Sequence, residues 1–418
     1  MSMVRPGQLG PGMTQTAAIA ERIDMDAPDR RDAAEPAAAG LGVALSLHRD
    51  LAGIESEWRA FEAEADGTAF QSYDWVAAWQ QHIGAREGVT PAVVIGRRRG
   101  RILFILPFAL QAGRLRRIVW LAAFLNSASA PLLARDFAEA VSPAQFPALW
   151  REILRLLRSE TRFDLIDLDK IPETVGAQAN PLLTLDVTRH ASDTYITRLE
   201  GSWDELYAAK RSSSWRKTDG KRRRRLEKFG EVTFTTAEQP AEIAQTLEAL
   251  IAQKKDLYAS LGVPNLFEKP GYRDFHMQLA ETCRGLVHVS SIKVGLTIVA
   301  ASFGLMFHGN YDYMLAGYAA GEFEACSPGT IHLQALMRHF LERGFKTFDF
   351  NIGDAPYKRE WYDLELKLYD YAAPGSLQGA LAAGITSRLR QLKSYVKRHP
   401  SLYPMVVKTR AALGRVRG

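Results

Sequence analysis

The sequence predicts a mixed α/β (α+β) protein made of two successive halves, each with a mixed, mostly antiparallel sheet flanked by helices. The chain has 418 residues, well beyond the ~250–300 residues at which one hydrophobic core stops growing. Segments with alternating apolar residues follow segments with apolar residues at helical spacing, which indicates strands between helices. Each half also has a helical segment before a Phe-Asp strand, at Phe163-Asp164 and Phe348-Asp349, and this repetition indicates a duplication.

The first half is predicted to begin with a strand and to close near Asp186. Apolar residues at helical spacing indicate helices from Leu51 to Phe61 and from Tyr73 to Ile83, and the basic turn Arg97–Gly100 joins two strands. The other predicted elements are strands at Val43–Leu47, Pro91–Gly96, Arg101–Leu110 and Phe163–Leu168, and a helix at Phe146–Leu157.

The second half contains clear signals for helix ends. Ser202 is a typical N-cap for a helix that runs to Lys210, and Gly230 ends a basic helix that begins at Ser213. The other predicted elements are strands at Thr194–Leu199, Glu231–Thr236, Leu286–Ile292, Leu296–Phe307, Asn310–Tyr318, Lys346–Asn351 and Leu364–Tyr371, and helices at Pro240–Leu261, Gly271–Cys283 and Pro328–Glu342. We therefore predict a disordered tail at residues 1–40, domains at 41–190 and 191–374, and a basic amphipathic helix at 375–418.

The composition excludes several classes of protein. Hydrophobic residues make up 47% and charged residues 24% of the chain, which is ordinary for a folded globular protein. No run reaches the ~18–20 apolar residues of a membrane-spanning helix, and residues 1–40 lack the pattern of a secretory signal. Cys283 and Cys326 are too few for a disulfide framework, and no Cys/His cluster has zinc spacing. We expect a cytoplasmic protein without a metal cofactor.

The net charge of +6 is distributed unevenly along the chain. Lys210–Lys228 contains ten Lys or Arg against two acidic residues, and residues 375–418 contain nine basic residues and no acidic one. The remainder of the chain is therefore acidic, and each of the two basic segments needs an explanation.

The first basic segment is a predicted helix with five consecutive cations, Lys221–Arg225. Such cations repel one another around a helix unless an anion is close. We therefore predict that Arg222, Arg223 and Arg225 bind phosphate, from a phosphate-bearing small molecule, from a nucleotide-linked or polyprenyl-phosphate-linked acceptor, or from RNA. Nucleic acid is the less favoured partner, because the aromatic residues among the cations are limited to Trp215 and Phe229.

The second basic segment carries an apolar stripe at helical spacing. Its members are Leu377, Leu381, Ile385, Leu389, Leu392 and Val396, beside Arg388, Arg390, Lys393, Lys397 and Arg398. This pattern is typical of a helix that lies on a membrane surface, although the same stripe would also suit docking on the domain. We predict a peripheral contact with the inner face of the membrane.

The most informative stretch of the sequence lies between Asn310 and Tyr362. A predicted strand runs into a loop, after which Ser327, Pro328, Gly329 and Thr330 begin a helix. Ser327 suits the N-cap, Pro328 suits the first helical position, and Gly329 would let a ligand approach the backbone. Free amides at such a helix start favour an anion such as pyrophosphate, although a capped helix without a ligand would show the same residues.

At this point the sequence resembles the CelD/BcsL-type acetyltransferase domain of the GNAT superfamily, which is similar to the Fem peptidyl transferases. The motifs are Tyr311-Asp-Tyr, Ser327-Pro-Gly-Thr330, Phe348-Asp349-Phe350, Gly353-Asp-x-x-Tyr357-Lys358-x-x-Trp361, the basic helix from Ser214 and, more loosely, Phe70-Gln-Ser-x-x-Trp75. The resemblance spans about Val43–Tyr371 and implies two tandem GNAT-like domains.

The resemblance also implies acetyl-CoA or another acyl-CoA as donor, with Ser327, Gly329 and Thr330 at its pyrophosphate. It places acyl transfer where the strand Asn310–Tyr318 splays from Lys346–Asn351. The usual GNAT signature Arg/Gln-x-x-Gly-x-Gly/Ala is absent from the loop that precedes the helix.

Direct transfer from a thioester needs a base, an oxyanion donor and an acid for the leaving thiolate. Asp349 is the candidate base, because burial would raise the pKa of a carboxylate at the carboxyl end of this strand. A structural cap, or an ion pair with Lys358 or Arg359, is the alternative for Asp349.

The remaining candidates surround that position. Backbone amides at Ala316 and Gly317 would hold the oxyanion, Tyr318 or Tyr357 would protonate the thiolate, and Lys358 would bind phosphate or an acidic acceptor. The tyrosines would equally suit the edge of an apolar core. The spacing His308-x-x-x-Asp312 copies the motif of another CoA-dependent acyltransferase fold, but it spans the predicted turn at Gly309, so we do not assign it a role.

The sequence thus predicts an acyl-CoA-dependent N- or O-acyltransferase that acts on a sugar, a lipid-linked precursor or an amino-sugar precursor in exopolysaccharide or cellulose biosynthesis. One alternative is a Fem-like transferase that takes its group from an aminoacyl-tRNA. Another is a catalytically degenerate GNAT pair that serves as an assembly module.

Overall fold

The computed structural model describes residues 41–353 and 355–398. The predicted tail at residues 1–40 and the last part of the predicted C-terminal helix, residues 399–418, lie outside the described residues. Within the described ranges, no helix combines the length and hydropathy that crossing a bilayer requires.

The first half contains short strands around three longer helical segments. Its strands are β1 (Val43–His48), β2 (Val89–Pro91), β3 (Val93–Arg98), β4 (Arg101–Leu106), β5 (Phe108–Gln111), β6 (Arg117–Trp120), β7 (Leu132–Leu133), β8 (Leu165–Pro172), β9 (Thr174–Val175), β10 (Gln178–Ala179) and β11 (Val187–Arg189). Its helices are α1 (Glu55–Glu62), α2 (Tyr73–Trp79), α3 (Phe137–Ala140) and α4 (Phe146–Glu160).

The second half has longer strands and helices. Its strands are β12 (Thr194–Arg198), β13 (Val232–Thr236), β14 (Val287–Val294), β15 (Thr297–Phe307), β16 (Asn310–Tyr318), β17 (Thr347–Ile352), β18 (Leu364–Leu366) and β19 (Leu368–Pro374). Its helices are α5 (Trp203–Lys210), α6 (Ser213–Leu226), α7 (Pro240–Leu261), α8 (Tyr272–Thr282), α9 (Pro328–Glu342) and α10 (Leu377–Arg398).

Three larger sheets organise these elements. The strand orders are β1-β3-β4-β7, β11-β19-β8-β6-β5-β2 and β13-β14-β15-β16-β17-β12-β18. In the described residues, the strands pair antiparallel except for β6 with β8 and β16 with β17, which are parallel. The predicted class, α/β with mixed and mostly antiparallel sheets in two successive halves, is confirmed.

The last strand crosses the boundary that the sequence predicts between the halves. The sequence predicts one strand at Leu364–Tyr371, whereas the structure has β18 beside β12 and β19 beside β8, in different sheets. The prediction of a single strand was wrong, because apolar alternation marks a strand without specifying which sheet it joins.

The two halves share one apolar core. Trp75 of α2 packs edge-to-face on Phe275 of α8 with ring centroids 4.9 Å apart, and its indole N–H donates to Asn126. Residues of α7 and β15, including Leu250 and Phe303, belong to the same cluster. Aromatic pairs of this kind add about 0.5–1.5 kcal/mol beyond their buried area, so the halves are held together by their core.

Helix ends that depend on local chemistry match the sequence predictions. The helices α7 and α9 begin at their prolines and end where the sequence predicts. The Ser202 hydroxyl accepts from the Glu205 N–H in a capping box, and Gly230 follows the basic helix with φ +145°. The predicted strand Arg101–Leu110 is interrupted at Pro107 to give β4 and β5, because proline has no N–H for the ladder.

Candidate functional site

The sheet of the second half divides between β16 and β17. These parallel strands pair at three positions, of which Asp312 opposite Asp349 is the last. Beyond this rung β16 and β17 no longer pair, as the family resemblance implies. The backbone edge of β16 from Tyr313 onwards therefore has no strand partner on this side.

A cleft of about 960 Å³ occupies this division of the sheet. Its walls come from β16, the start of α9, the end of β17, the turn Pro356–Glu360, the helices α6, α7 and α8, and a loop of the first half. Among the sequence-predicted site residues, the lining includes Ala316, Gly317, Tyr318, Ser327, Gly329, Thr330, Tyr357, Lys358 and Arg222. The structure therefore brings most of the predicted site together.

Asp349 lies at the closed end of the division and faces a second carboxylate, Asp312, across the last paired rung. Register partners on adjacent strands point to the same face of a sheet. Leu305, opposite Asp312 in β15, belongs to the core beneath α7 and α8, so both carboxylates face that side. Neither carboxylate lines the cleft, whereas the residues that follow each of them, Tyr313 and Phe350, do.

The two carboxyl groups have strongly raised pKa values. Burial raises the pKa of Asp349 to about 7, although the Asn351 amide and the charge of Lys358 act in the opposite direction. Burial, and then the charge of Asp349, raise the pKa of Asp312 well above its ordinary value. Like charges in a desolvated site cannot both ionise easily, so the pair retains one proton near neutral pH.

Asn351 is a cleft residue that the sequence analysis missed. Its backbone is left-handed, with φ +62°, and its N–H donates to Asp349 Oδ1 at 2.6 Å. Its side chain is only 5% exposed, yet neither the amide nitrogen nor the amide oxygen has a hydrogen-bond partner in the described structure. Strained backbone and unpaired buried polar atoms concentrate at functional sites, so this amide is positioned for a ligand.

The turn that follows β17 contributes a buried cation and a tyrosine. Lys358 Nζ donates to the carbonyls of Asn351 at 2.9 Å and Ile352 at 3.2 Å. Lys358 therefore holds the left-handed segment in place, a role that the sequence did not predict. Burial raises the pKa of Tyr357 to about 12, so its phenol stays protonated at neutral pH.

The open edge of β16 refines the predicted oxyanion donors. The Ala319 N–H donates to the Val299 carbonyl, towards β15. Amides alternate in direction along a strand, so the Gly317 amide points to β15 as well, whereas the Ala316 amide points to the cleft. A Cβ at Gly317 would lie 2.8 Å from Gln253, so Gly317 is required for packing against α7.

The start of α9 differs in detail from the predicted cap. Ser327 occupies the N-cap position, but its backbone is left-handed with φ +51° and its hydroxyl makes no cap hydrogen bond. Capping needs an extended backbone at this position, so the predicted cap was wrong. The space over Gly329 holds the ring of Tyr318, from which a Cβ would be 3.2 Å away.

The same helix start retains donors for an anion. The amides of Thr330 and Ile331 bond back to the Ser327 carbonyl, and Pro328 has no N–H. The Gly329 amide has no backbone acceptor among the described residues. Together with the Thr330 side chain, it forms the part of the cleft that suits a phosphate.

The basic helix α6 is anchored by acidic residues of this chain. Arg211, just before it, is buried and pairs with Asp219 at 3.1 Å and with Glu360. Its guanidinium also lies over Trp215 at 4.9 Å and Trp361 at 5.7 Å from the ring centroids. The helix is therefore fixed against the turn that carries Tyr357 and Lys358.

The predicted phosphate-binding arginines do not converge. Arg222 lines the cleft and lies 3.5 Å from Asp219, whereas Arg223 pairs with Glu227 at 3.1 Å and faces a second groove. Arg225 is exposed and lines neither. Arg223 points about 100° away from Arg222 around the helix, and Arg225 lies nearly one turn further along it, outside the cleft. Grouping Arg223 and Arg225 with Arg222 was therefore wrong.

Other cleft residues come from segments that sequence reasoning did not connect to the site. Lys254 of α7 has no carboxylate partner in the described residues, and burial lowers its pKa. Burial also lowers the pKa of His276 of α8 to about 4. Its Nδ1 bonds the Tyr272 carbonyl, so Nδ1 holds the proton and Nε2 is an acceptor. The first half adds Phe124 and Leu125 to the wall.

Comparisons with known proteins concern one segment of the second half and the fold. Residues 213–359 match the acetyltransferase (GNAT) domain family. Among solved structures, FemX is similar with a TM-score of 0.55 at 12% identity, over 82% of this chain and 99% of that chain. The C-terminal domain of a putative lysylphosphatidylglycerol synthetase from Agrobacterium fabrum gives a TM-score of 0.48 at 12% identity, covering 80% and 95%.

A tandem GNAT protein from the clavulanic acid biosynthesis pathway gives a TM-score of 0.42 at 11% identity, covering 80% and 99%. No curated protein matches the sequence. The FemX likeness extends over both halves and supports the fold. The match of residues 213–359 to the acetyltransferase (GNAT) domain model confirms the predicted enzyme class, acyltransferase.

Proposed function

We propose that the protein transfers an acyl group from acyl-CoA to an amine or hydroxyl, within the cleft between β16 and β17. One observation carries this proposal: the division of the sheet has a carboxylate pair at its closed end and a helix N-terminus at its other side. A linear thioester donor would lie between the carboxylate pair and the helix N-terminus, and the carboxylate pair would accept the proton.

The cleft residues fit an acyl-CoA donor, which enzymes of the GNAT type generally use. The unpaired edge of β16, with the Ala316 amide, suits the amide groups of the pantetheine arm. The Gly329 amide, Thr330, Arg222 and Lys254 supply donors for the phosphates. Glu324 also lines this region, and its charge weakens the site relative to a glycine-rich phosphate loop.

In the proposed reaction, the nitrogen or oxygen of the acceptor attacks the thioester carbonyl while its proton moves through water to Asp349, which does not itself line the cleft. The new C–N or C–O bond forms as the C–S bond breaks. The Ala316 amide, or the unpaired amide of Asn351, donates to the oxyanion. Tyr357, which stays protonated, or Tyr318 gives a proton to the departing thiolate.

For the acceptor, we propose a sugar, an amino sugar or a lipid-linked precursor, in exopolysaccharide or cellulose biosynthesis. The resemblance to CelD/BcsL-type domains supports this choice. A lipid-linked acceptor would place the reaction at a membrane surface, so we propose a cytoplasmic protein with a peripheral membrane contact.

A Fem-like transfer from aminoacyl-tRNA is the second candidate. The exposed face of α6, with Lys221, Arg224 and Arg225 outside the cleft, favours it, since such cations suit a nucleic-acid backbone. This route would use the same carboxylate pair with a different donor.

Calorimetric titration with acetyl-CoA tests the donor. We expect saturable binding that Arg222→Gln and Lys254→Gln each weaken about 10- to 100-fold, because a lost charge-assisted bond costs ~1.5–3 kcal/mol. Arg225→Gln, which removes the same charge outside the cleft, is the matched control and should bind as wild type.

Absence of saturable heat with acetyl-CoA would overturn the donor assignment. Titration with tRNA separates the alternatives. Tight binding that falls steeply with salt, and that disappears when Lys221, Arg224 and Arg225 are neutralised, would support the Fem-like route. If neither acetyl-CoA nor tRNA binds, the remaining alternative is a catalytically degenerate GNAT pair that serves as an assembly module.

A further inference from the structure

The helix α10 packs on the protein through its smallest residues. Gly379 and Ala383 are buried, as is Ser394 further along the same side. A Cβ at Gly379 would lie 1.4 Å from the Asp164 carbonyl oxygen, so the helix backbone touches the loop before β8 directly. Only glycine permits this approach, which fixes the rotation of α10 about its own axis.

Polar contacts hold the same side of the helix. The Ser376 hydroxyl bonds Asp164 at 2.9 Å and accepts from the Gly379 N–H. Arg390 pairs with Asp167 at 2.7 Å and with Asp370 at 3.4 Å. The helix is thus attached along much of its length through small and polar groups.

The opposite side of α10 exposes its large apolar side chains to solvent. The exposed fractions are 90% for Leu377, 75% for Leu381, 60% for Ile385, 60% for Leu389, 58% for Leu392 and 56% for Tyr395. The alternative that this stripe docks on the domain was therefore wrong, except for Val396, which is half-buried. The stripe runs ~22 Å along the helix. On an ordinary protein surface, exposed apolar residues are instead scattered singly.

Cations flank the stripe. Arg388 and Lys393 are exposed beside it, and residues 375–418 contain no acidic residue. A second copy docked through the same stripe would bring two basic segments without acidic residues together, and their like charges would repel each other. An anionic bilayer surface matches both the leucines, which enter the acyl boundary, and the cations, which meet the headgroups.

We infer that α10 docks the protein on an anionic membrane surface through the stripe Leu377–Leu392 and its flanking cations. Docking needs neither acyl-CoA nor the carboxylate pair, so it goes beyond the proposed reaction and its test is separate. A lipid-linked acceptor would then reach the enzyme by diffusion in the bilayer.

Sedimentation with vesicles of phosphatidylcholine, with and without phosphatidylglycerol, tests the inference on the full chain. We expect binding to the anionic vesicles that weakens with added salt. The double variant Leu381→Gln/Leu389→Gln should lose about tenfold or more in affinity, because its side chains no longer enter the bilayer. Leu261→Gln/Leu296→Gln, which changes two leucines that are 62% and 95% exposed elsewhere, is the matched control.

Three outcomes would overturn the inference: no binding to anionic vesicles, equal loss in the control variant, or unchanged binding when the stripe is altered. Light scattering after size-exclusion chromatography distinguishes the second-copy alternative. If Leu381→Gln/Leu389→Gln converts a dimer to a monomer and leaves vesicle binding intact, the stripe is an interface between copies. We expect both variants to fold, because all four side chains are exposed. Circular dichroism checks this.

Discussion

Each half of the molecule has an aspartate that follows a phenylalanine and lies beside a pair of parallel strands. The surroundings of these two aspartates shift the side-chain pKa in opposite directions. Asp164 of the first half accepts from the Arg116 N–H at 2.9 Å and from the Ser376 hydroxyl. These bonds hold the pKa of Asp164 below its ordinary value. Asp349 of the second half faces Asp312 instead, and burial raises its pKa to about 7. Similar local sequence therefore yields a structural anion in one half and a candidate base in the other.

The gap beside the parallel pair also differs between the halves. In the first half, the chain after β6 crosses towards β8, where the Ser129 N–H donates to the Lys170 carbonyl. Lys170 Nζ donates to the carbonyls of Ala123 and Asn126. Residues of the chain itself therefore fill this gap, whereas the gap between β16 and β17 remains open as the cleft. Each half therefore has a gap beside its parallel strands, and only the gap of the second half is left open.

The largest expected effect is the loss of activity when an aspartate of the second half is replaced and its counterpart in the first half serves as control. Asp349→Asn should lower kcat/KM for acyl transfer ~100-fold or more, because a general base contributes ~10²–10⁴-fold, whereas Asp164→Asn should leave it unchanged. The wild-type rate should rise with pH through about 7, as Asp349 ionises. Asp312→Asn, which imitates the protonated partner, should keep that inflection. Wild-type turnover by Asp349→Asn would show that Asp349 is not the base.

The next effect concerns the buried cation of each half. Arg211→Ala should lower the free energy of unfolding by about 3–5 kcal/mol, because it removes the closest cation from the buried Asp219 carboxylate and leaves only Arg222 among the described cations, at 3.5 Å, paired with it. Lys170→Met should cost less, about 1–3 kcal/mol, because it frees two carbonyls and the partly exposed carboxylate of Asp169 rather than a buried carboxylate. Urea denaturation measures both. Arg225→Ala, at an exposed position, should stay within about 0.5 kcal/mol of wild type, and an equal loss there would contradict the assignment.

The smallest effect is the pH dependence of stability. The folded pKa of Asp349 is raised, so its favourable contribution is complete below the unfolded pKa and is lost as pH rises to about 7. Asp349→Asn should therefore stabilise the protein by about 1–4 kcal/mol near pH 8 and change little near pH 4.

Asp164 should behave with the opposite sign in the same urea denaturation experiments. Its folded pKa is lowered, so Asp164→Asn should destabilise the protein at neutral pH, and the difference should vanish as pH falls through that pKa. If both variants changed stability in the same direction at neutral pH, the opposite environments of the two aspartates would be disproved.

Much of the second half could be predicted from the sequence because its helix ends depend on adjacent residues. Pro240, Pro328 and Ser202 begin helices, and Gly230 ends one, where the sequence predicts. The order of strands across the sheets could not be predicted in this way. Strand pairing depends on segments far apart in the chain, as β19 beside β8 shows.

The candidate site likewise contains some residues that the sequence predicts and others that it does not. Tyr318, Thr330 and Tyr357 line the cleft as predicted, because one continuous strand, loop and helix carries them there. Asp312 stood in the sequence within the motif Tyr311-Asp-Tyr and the spacing His308-x-x-x-Asp312, and neither gave it a role. Lys254 reaches the cleft from a helix far away in sequence, and no local signal marks such a residue.

By itself, the sequence determined the charge of the two basic helices and the periodicity of the apolar stripe on α10. Only the tertiary structure decided that the stripe faces solvent, because the close approach of Gly379 to Asp164 sets the rotation of the helix. Likewise, the chain contains both aspartates of the pair in its sequence, but they lie opposite each other only because β16 pairs with β17. Burial and charge pairing depend on what distant segments bring, whereas periodicity and caps depend on neighbours within a few residues.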